Sequence, residues 1–207
     1  MFISVTEYEK MKQNVPFNPA DEKLISLRAR MRELELEYNQ TTRYEDDRRT
    51  EILNSLLDKC GEDVTMLPNI HFDYGCNVQI GDHFFANINS TFIDVASIII
   101  GDHVLVGPNV TICTATHPIL ARERLPEKDE DGNEYLLEYS HPVVIGNDVW
   151  IGAGVIINPG VHIGDGTVIG SGSVVTKDIP SGVVAAGVPC RIIREITEQD
   201  SLEIKGY

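Results

Sequence analysis

Residues 145–180 read IGNDVW IGAGVI INPGVH IGDGTV IGSGSV VTKDIP, six groups of six in which the first residue is always aliphatic. Ile145, Ile151, Ile157, Ile163, Ile169 and Val175 hold that place. Gly146, Gly152, Gly164 and Gly170 follow it, and Val149, Val155, Val161, Thr167, Ser173 and Ile179 stand four after it. About one residue in four of the chain is Ile, Leu or Val, so six hits in one fixed phase arise by chance roughly once in 4000. A helix repeats at about 3.6 residues and a strand at about 2, so neither explains sixes. A coil of short parallel strands does: each group turns one corner, and each aliphatic side chain stacks on the circuit below.

Working outward, the same phase runs through Tyr74, Ile80, Ala86 and Phe92, then resumes after a slip at Ile100, Val106 and Ile112. It is lost between Ile112 and Ile145. That gap holds Thr116-His117-Pro118 and then an acidic run from Lys128 through Asp129, Glu130, Asp131, Gly132, Asn133 and Glu134. Such residues bury little, so a loop extruded from the coil is expected over about 118–142. Loops of that length are often functional; the alternative is a solvated insertion without consequence. Before the coil, Leu24, Leu27, Met31, Leu34 and Tyr38 recur at helical spacing and predict an amphipathic helix over 19–38, with Asn18 as cap and Pro19 in its first position. Thr42 and Glu45 in capping-box order, an apolar face of Ile52, Leu53, Leu56 and Leu57, and Gly61 as C-cap predict a second helix. The expected organisation is a helical cap over 1–62, a coil over 63–190 and a tail over 191–207, with a last short helix over Arg191–Ile196 after Pro189. Met1 to Lys10 carries no assignable signal.

The net charge of −15 argues against nucleic acid and anionic membrane, both of which require basic surfaces. It draws attention to Lys177, Arg191 and Arg194, which suit a phosphate-bearing ligand or are ordinary charges on a tail. With no secretory leader and no long apolar run, a soluble cytoplasmic protein is expected. Cys60, Cys76, Cys113 and Cys190 are far apart; free thiols are the simplest reading, and two disulfides are also compatible with four cysteines. His71, His83, His103, His141 and His162 are scattered, so no metal site is expected.

Three segments then stand out together: Ala115-Thr116-His117-Pro118, Asn147-Asp148-Val149-Trp150-Ile151-Gly152, and Val184-Ala185-Ala186-Gly187-Val188-Pro189-Cys190-Arg191. With the six-residue repeat and the helical N-terminus, they make the chain resemble the maltose and galactoside O-acetyltransferases of the hexapeptide-repeat superfamily, from about Glu7 to Ile196. The resemblance implies an all-β solenoid with a helical appendage: a left-handed parallel β-helix, assembled as a homotrimer with active sites between subunits. The hand and the trimer come from the resemblance alone. It also implies acetyl-CoA as co-substrate and a sugar of the maltose or glucose type as acceptor.

A sugar hydroxyl is a poor nucleophile at neutral pH, so a base must take its proton as it attacks the thioester. His117 stands where the family places its catalytic histidine, and Asn87 matches the family's active-site asparagine, whose amide can donate to the oxyanion. The other reading of Asn87 is a turn residue bonded to its own backbone. For the acceptor, Asp21 and Arg28 match cap positions two helical turns apart, and Asp73 and Asp94 complete the pocket; Asp21 would equally suit a helix first turn without any ligand. Ser171, Thr176, Lys177, Arg191 and Arg194 match positions that meet coenzyme A, with the backbone near Ala153 facing the oxyanion. Trp150 is expected either to wall that pocket or to pack in the core. Departures from the galactoside branch, such as Asp94 followed by Val95, bring the chain closer to the maltose branch. The alternatives are an O-acetyltransferase of a non-sugar acceptor, such as an antibiotic or an amino-acid derivative, and a non-catalytic trimeric scaffold.

Overall fold

The computed structural model describes residues 5–42, 44–129 and 131–205; Glu130 of the acidic run lies outside them. The chain winds into a parallel solenoid with three faces. The first stacks Lys59–Cys60, Val78–Ile80, Ile98–Ile100, Val143–Ile145 and His162–Ile163. The second stacks Thr65–Met66, Phe85–Ala86, Leu105–Val106, Trp150–Ile151, Val168–Ile169 and Val183–Ala186. The third stacks Ile70–Phe72, Ser90–Ile93, Thr111–Cys113, Ile156–Ile157 and Val174–Val175. The first residue of each group of six points inward and forms three columns. These are Ile80–Ile100–Ile145–Ile163, Ala86–Val106–Ile151–Ile169 and Phe72–Phe92–Ile112–Ile157–Val175, all buried.

The register explains the slip in the repeat. Ile145 lies beneath Ile163, eighteen residues on, but Ile80 lies beneath Ile100, twenty residues on. The two extra residues fall at the edge between the third and first faces. Phe72, rather than Tyr74, is therefore the stacked residue of its circuit, with its ring 4.9 Å from that of Phe92. Tyr74 turns into a second, smaller core with Met11, Phe17, Leu24 and Val95.

Among the described residues three helices precede the coil: α1 (Glu7–Lys12), α2 (Glu22–Asn39) and α3 (Asp46–Leu56). Helix α1, which the sequence did not signal, is closed by a Thr6–Glu9 capping box. Helix α2 begins later than predicted. Its cap is Asp21, whose carboxylate accepts from the Lys23 and Leu24 amides, while Asn18 accepts from the Ala20 amide in a turn ahead of it. At α3, Glu45 reaches back to the amide and hydroxyl of Thr42, but the helix ends at Leu56 and Gly61 is no C-cap. Gly61 lies in the first circuit, where a Cβ would meet the Gly81 backbone at 2.4 Å. The coil therefore begins at Lys59, ahead of the expected boundary.

Helices α2 and α3 close the lower end of the solenoid. Tyr38, Leu53 and Leu56 join the main core. The Asn39 side chain exchanges two hydrogen bonds of 2.9 Å with the backbone of Ile70, and Glu35 accepts from the Phe72 amide at 2.9 Å. Buried Arg49 donates to the Tyr38 hydroxyl and to the Met66 carbonyl. At the upper end the expected helix over Arg191–Ile196 is instead a strand, Arg191–Glu195, antiparallel to Val183–Ala186. The open hydrogen-bonding edge of that last parallel strand decides the outcome for a segment too short to be a stable helix alone. All four cysteines are unpaired thiols. No helix among the described residues is long and apolar enough to cross a membrane.

Candidate active site

The longer edge, between the third and first faces, accommodates a carboxylate inside the wall. Asp94 is wholly buried, and its oxygens accept from the backbone amides of Asp73 (3.0 Å), Tyr74 (2.9 Å) and Asn77 (3.3 Å). Burial pushes its pKa up to about 7, against the pull of those amides. Asp94 thus shapes the edge and presents no surface to a substrate, which removes it from the acceptor contacts expected above. Its neighbour Asp73 is half-buried, and its carboxylate makes no hydrogen bond among the described residues. Burial raises its pKa too, while Arg32 and Arg28 lower it.

The extruded loop leaves from this same edge. Ala115–Thr116 pairs antiparallel with Tyr139–Ser140 of the returning limb, and a small hairpin of Glu127–Lys128 with Glu134–Tyr135 forms the tip. Continuing that register sets His117 opposite Glu138. His117 is exposed, and its Nδ1 lies 2.9 Å from the Leu137 carbonyl oxygen. A carbonyl only accepts, so Nδ1 carries the hydrogen in the neutral ring, leaving the Nε2 lone pair open to solvent. Glu138 is anchored by backbone hydrogen bonds to Phe17 on the N-terminal arm, at 3.0 and 3.3 Å. Its half-buried carboxyl has a raised pKa, first through burial and then through the charge of Asp73, with His117 and Arg28 pulling it down. The sequence reading missed Glu138. It stands in a charged loop and acquires its place only when the loop folds back.

Arg28 approaches this edge from α2, and Asp21 stands at the start of that helix. Both are engaged by their own chain: Asp21 caps the helix, and Arg28 donates to the Tyr74 hydroxyl and, at 2.7 Å, to the Pro19 carbonyl. One edge of one chain therefore gathers Arg28, Asp73, His117 and Glu138, a base beside two carboxyls and a cation.

The remaining expected residues lie elsewhere. Asn87 and Ala153 follow second-face strands, at the edge between the second and third faces; Ser171 and Arg191 stand at that edge in the upper circuits. The Asn87 amide oxygen accepts from the Ile88 amide at 2.8 Å, which is the turn reading, while its NH2 group makes no hydrogen bond among the described residues. Glycine lets the circuits stack closely here: a Cβ on Gly107, Gly152 or Gly170 would lie within 2.8 Å of the circuit above. Trp150 is 55 % exposed on the second face, between Leu105 and Val168, and so is not a core residue. Thr176 and Lys177 are exposed at the top of the His117 edge. Arg194 forms a two-pronged ion pair with Asp200, at 2.7 and 2.8 Å, so that cation is already matched within the chain. Among the described residues no three His, Cys, Asp or Glu side chains converge as a metal site.

Two family profiles match this chain. One, described as a maltose acetyltransferase hexapeptide capping motif, covers residues 10–61; the other, bacterial transferase hexapeptide (six repeats), covers 142–177. A maltose O-acetyltransferase structure from Clostridium difficile 630 superposes with a TM-score of 0.86 at 46 % identity, covering 93 % of this chain and 98 % of that one. The chain belongs to the maltose and galactoside O-acetyltransferase family. A galactoside acetyltransferase in complex with coenzyme A is equally similar in structure, with a TM-score of 0.86, 42 % identity and coverage of 95 % and 94 %. The sophorolipid acetyltransferase of Starmerella bombicola is 42 % identical over 96 % of this chain and 77 % of its own length. Family membership makes the chain an acetyltransferase built on the hexapeptide solenoid, as the resemblance implied.

Proposed function

We propose that the chain transfers the acetyl group of acetyl-CoA to a hydroxyl of a sugar, with His117 as the general base. The observation that carries this reading is the Leu137 carbonyl on His117 Nδ1, which in the neutral ring leaves the Nε2 lone pair free, with the Glu138 carboxyl near His117, Asp73 and Arg28. In the reaction, Nε2 takes the proton of the sugar hydroxyl as the oxygen bonds to the thioester carbonyl carbon. The carbon–sulfur bond then breaks, and the proton passes from Nε2 to the departing thiolate. General-base assistance of this kind is worth ~10²–10⁴ in rate. Asp73 and Glu138 are free to accept hydrogen bonds from neighbouring sugar hydroxyls, and Arg28 supplies a cation beside them.

The donor belongs to the other edge. There the NH2 of Asn87, which makes no hydrogen bond among the described residues, can donate to the oxyanion. Ser171 and Arg191 stand at the upper end of that edge, and Lys177 and Arg191 make no ion pair among the described residues, so they remain available to phosphates. The two edges of one chain face different directions. A threefold assembly that sets the Asn87 edge of one copy against the His117 edge of the next completes three sites, with Trp150 walling the junction. The acceptors named for the relatives are a galactoside, maltose and a sophorolipid, so the sugar unit is their shared chemistry.

The test is thiol release from acetyl-CoA with glucose, maltose, isopropyl thiogalactoside, chloramphenicol and serine as acceptors, run beside His117→Ala. The expected result is sugar-dependent release that falls by ~10²–10⁴ in the variant with its fold and assembly intact. Wild-type turnover in His117→Ala refutes the mechanism, and release with chloramphenicol or serine alone refutes the acceptor class.

A further inference from the structure

The longer edge turns Tyr74 away from the inward column and towards helix α2. Its ring is buried with Met11, Phe17, Leu24 and Val95, and its backbone amide donates to Asp94 at 2.9 Å. At the far end of the side chain, the hydroxyl accepts a hydrogen bond from Nη1 of Arg28. The second anchor of that guanidinium is the Pro19 carbonyl, 2.7 Å from Nη2. The guanidinium carbon also lies 5.4 Å from the centre of the Tyr74 ring. Phenylalanine would fill the same space in this small core. The hydroxyl is the part that packing leaves unexplained.

Both anchors of Arg28 are uncharged. A hydroxyl and a carbonyl take two of its five N–H groups, and Arg28 makes no ion pair among the described residues. Arg32, one turn along the helix, shows the other arrangement: Glu35 matches its charge at 2.9 Å. Burial pushes the Tyr74 hydroxyl up to about 12, so it stays protonated near neutral pH and leaves the Arg28 charge undiminished. Arg28 therefore keeps a full positive charge and three unengaged N–H groups, held in one direction, beside Asp73 and Glu138. A free arginine loses rotamer entropy when it grips a ligand, and one already pinned loses less. Resting on the reading of Arg28 as an acceptor contact, we propose that Tyr74 is a positioning residue whose hydroxyl aims the Arg28 guanidinium at the sugar. The lengthened edge thereby serves the site, because it turns this side chain towards α2.

The experiment measures kcat and both KM values for Tyr74→Phe, Arg28→Ala and the double variant, with the sugar that the wild type turns over best. Tyr74→Phe keeps the ring and removes only the hydroxyl. Loss of a hydrogen bond to a charged group is expected to raise the acceptor KM about five- to tenfold. The values of kcat and of KM for acetyl-CoA are expected to stay as they are. Arg28→Ala is expected to raise the acceptor KM at least as far. Adding Tyr74→Phe to it then changes nothing more, because the hydroxyl acts only through Arg28. An unchanged acceptor KM in Tyr74→Phe, with the Arg28→Ala effect present, overturns the inference and leaves the acceptor role of Arg28 standing. Effects of the two substitutions that multiply also overturn it. So does a Tyr74→Phe protein in which kcat and both KM values worsen together, since that is a general loosening of the fold. No effect of Arg28→Ala, or no turnover of any sugar, removes the reading on which the inference rests, and the inference with it.

Discussion

Replacing Asp94 by Asn tests whether a buried carboxyl sets the pH dependence of this protein's stability. Asp94 is wholly buried, three backbone amides point at it, and its pKa is raised from 3.8 to about 7. Because the folded pKa lies above the unfolded one, the folded chain holds a proton that the unfolded chain has released at any pH between the two. Stability from this group is therefore fully present below pH 3.8 and is lost as pH rises towards 7. The loss runs at about 1.4 kcal/mol per pH unit inside that window, so from pH 5 to pH 8 it amounts to about 2.5 kcal/mol. Asparagine does not titrate. It keeps an oxygen for the Asp73 and Tyr74 amides and turns an NH2 towards that of Asn77, which gives a constant offset. The measurement is urea unfolding of both proteins at pH 5, 6, 7 and 8 and one protein concentration. The wild-type advantage over Asp94→Asn is expected to shrink by about 2.5 kcal/mol across that range. A difference that does not change with pH refutes the reasoning: the three amides would then hold Asp94 ionised throughout.

Asn39→Ala removes both partners of the buried Ile70 backbone; a loss of about 1–3 kcal/mol per orphaned group is expected from denaturant titration. Gly152→Ala sets a methyl 2.6 Å from the Ser171 nitrogen and 2.9 Å from the Ile169 oxygen, both on the next circuit. Forcing the circuits apart should cost about 1–3 kcal/mol, visible as a lowered Tm. Asp200→Asn frees Arg194 from its ion pair; if that guanidinium meets the donor's phosphates, KM for acetyl-CoA falls by about two- to fivefold, and an unchanged KM excludes the contact.

The solenoid was legible because its signal is redundant: each inward position repeats a rule that packing enforces on every circuit, so Ile145 to Val175 needed no context. Tyr74 was misread as a stacked residue because the two extra residues at its edge depend on a buried carboxylate, which no periodicity announces. Asn18 and Asp21 are both good caps, and only the packing of Leu24 against Tyr74 and Met11 decides which begins the helix. Arg191–Glu195 became a strand because a neighbouring strand had an edge to fill, a requirement outside the segment itself. The site divides in the same way. His117, Asn87, Asp73 and Arg28 enter the proposed site by matching a family pattern. Glu138 escaped because its place beside His117 arises from the return of a loop, and Asp94 was assigned to the ligand because a sequence does not tell a carboxylate facing water from one facing three amides.

The two ends of the solenoid carry a consequence of their own. A stack of parallel circuits has no natural last member: its end strands template another, and an unguarded copy would add to the next and grow into a fibre. Here Asn39, Glu35 and Arg49 occupy the lower rim, and the chain's own reversal at Arg191–Glu195 occupies the upper one. The lower guard is the same pair of helices that carries Arg28 towards His117. If the proposed acceptor role of Arg28 holds, changes that retune acceptor choice are made on the element that guards the rim, which restricts such drift to faces like that of Arg28 and spares Asn39.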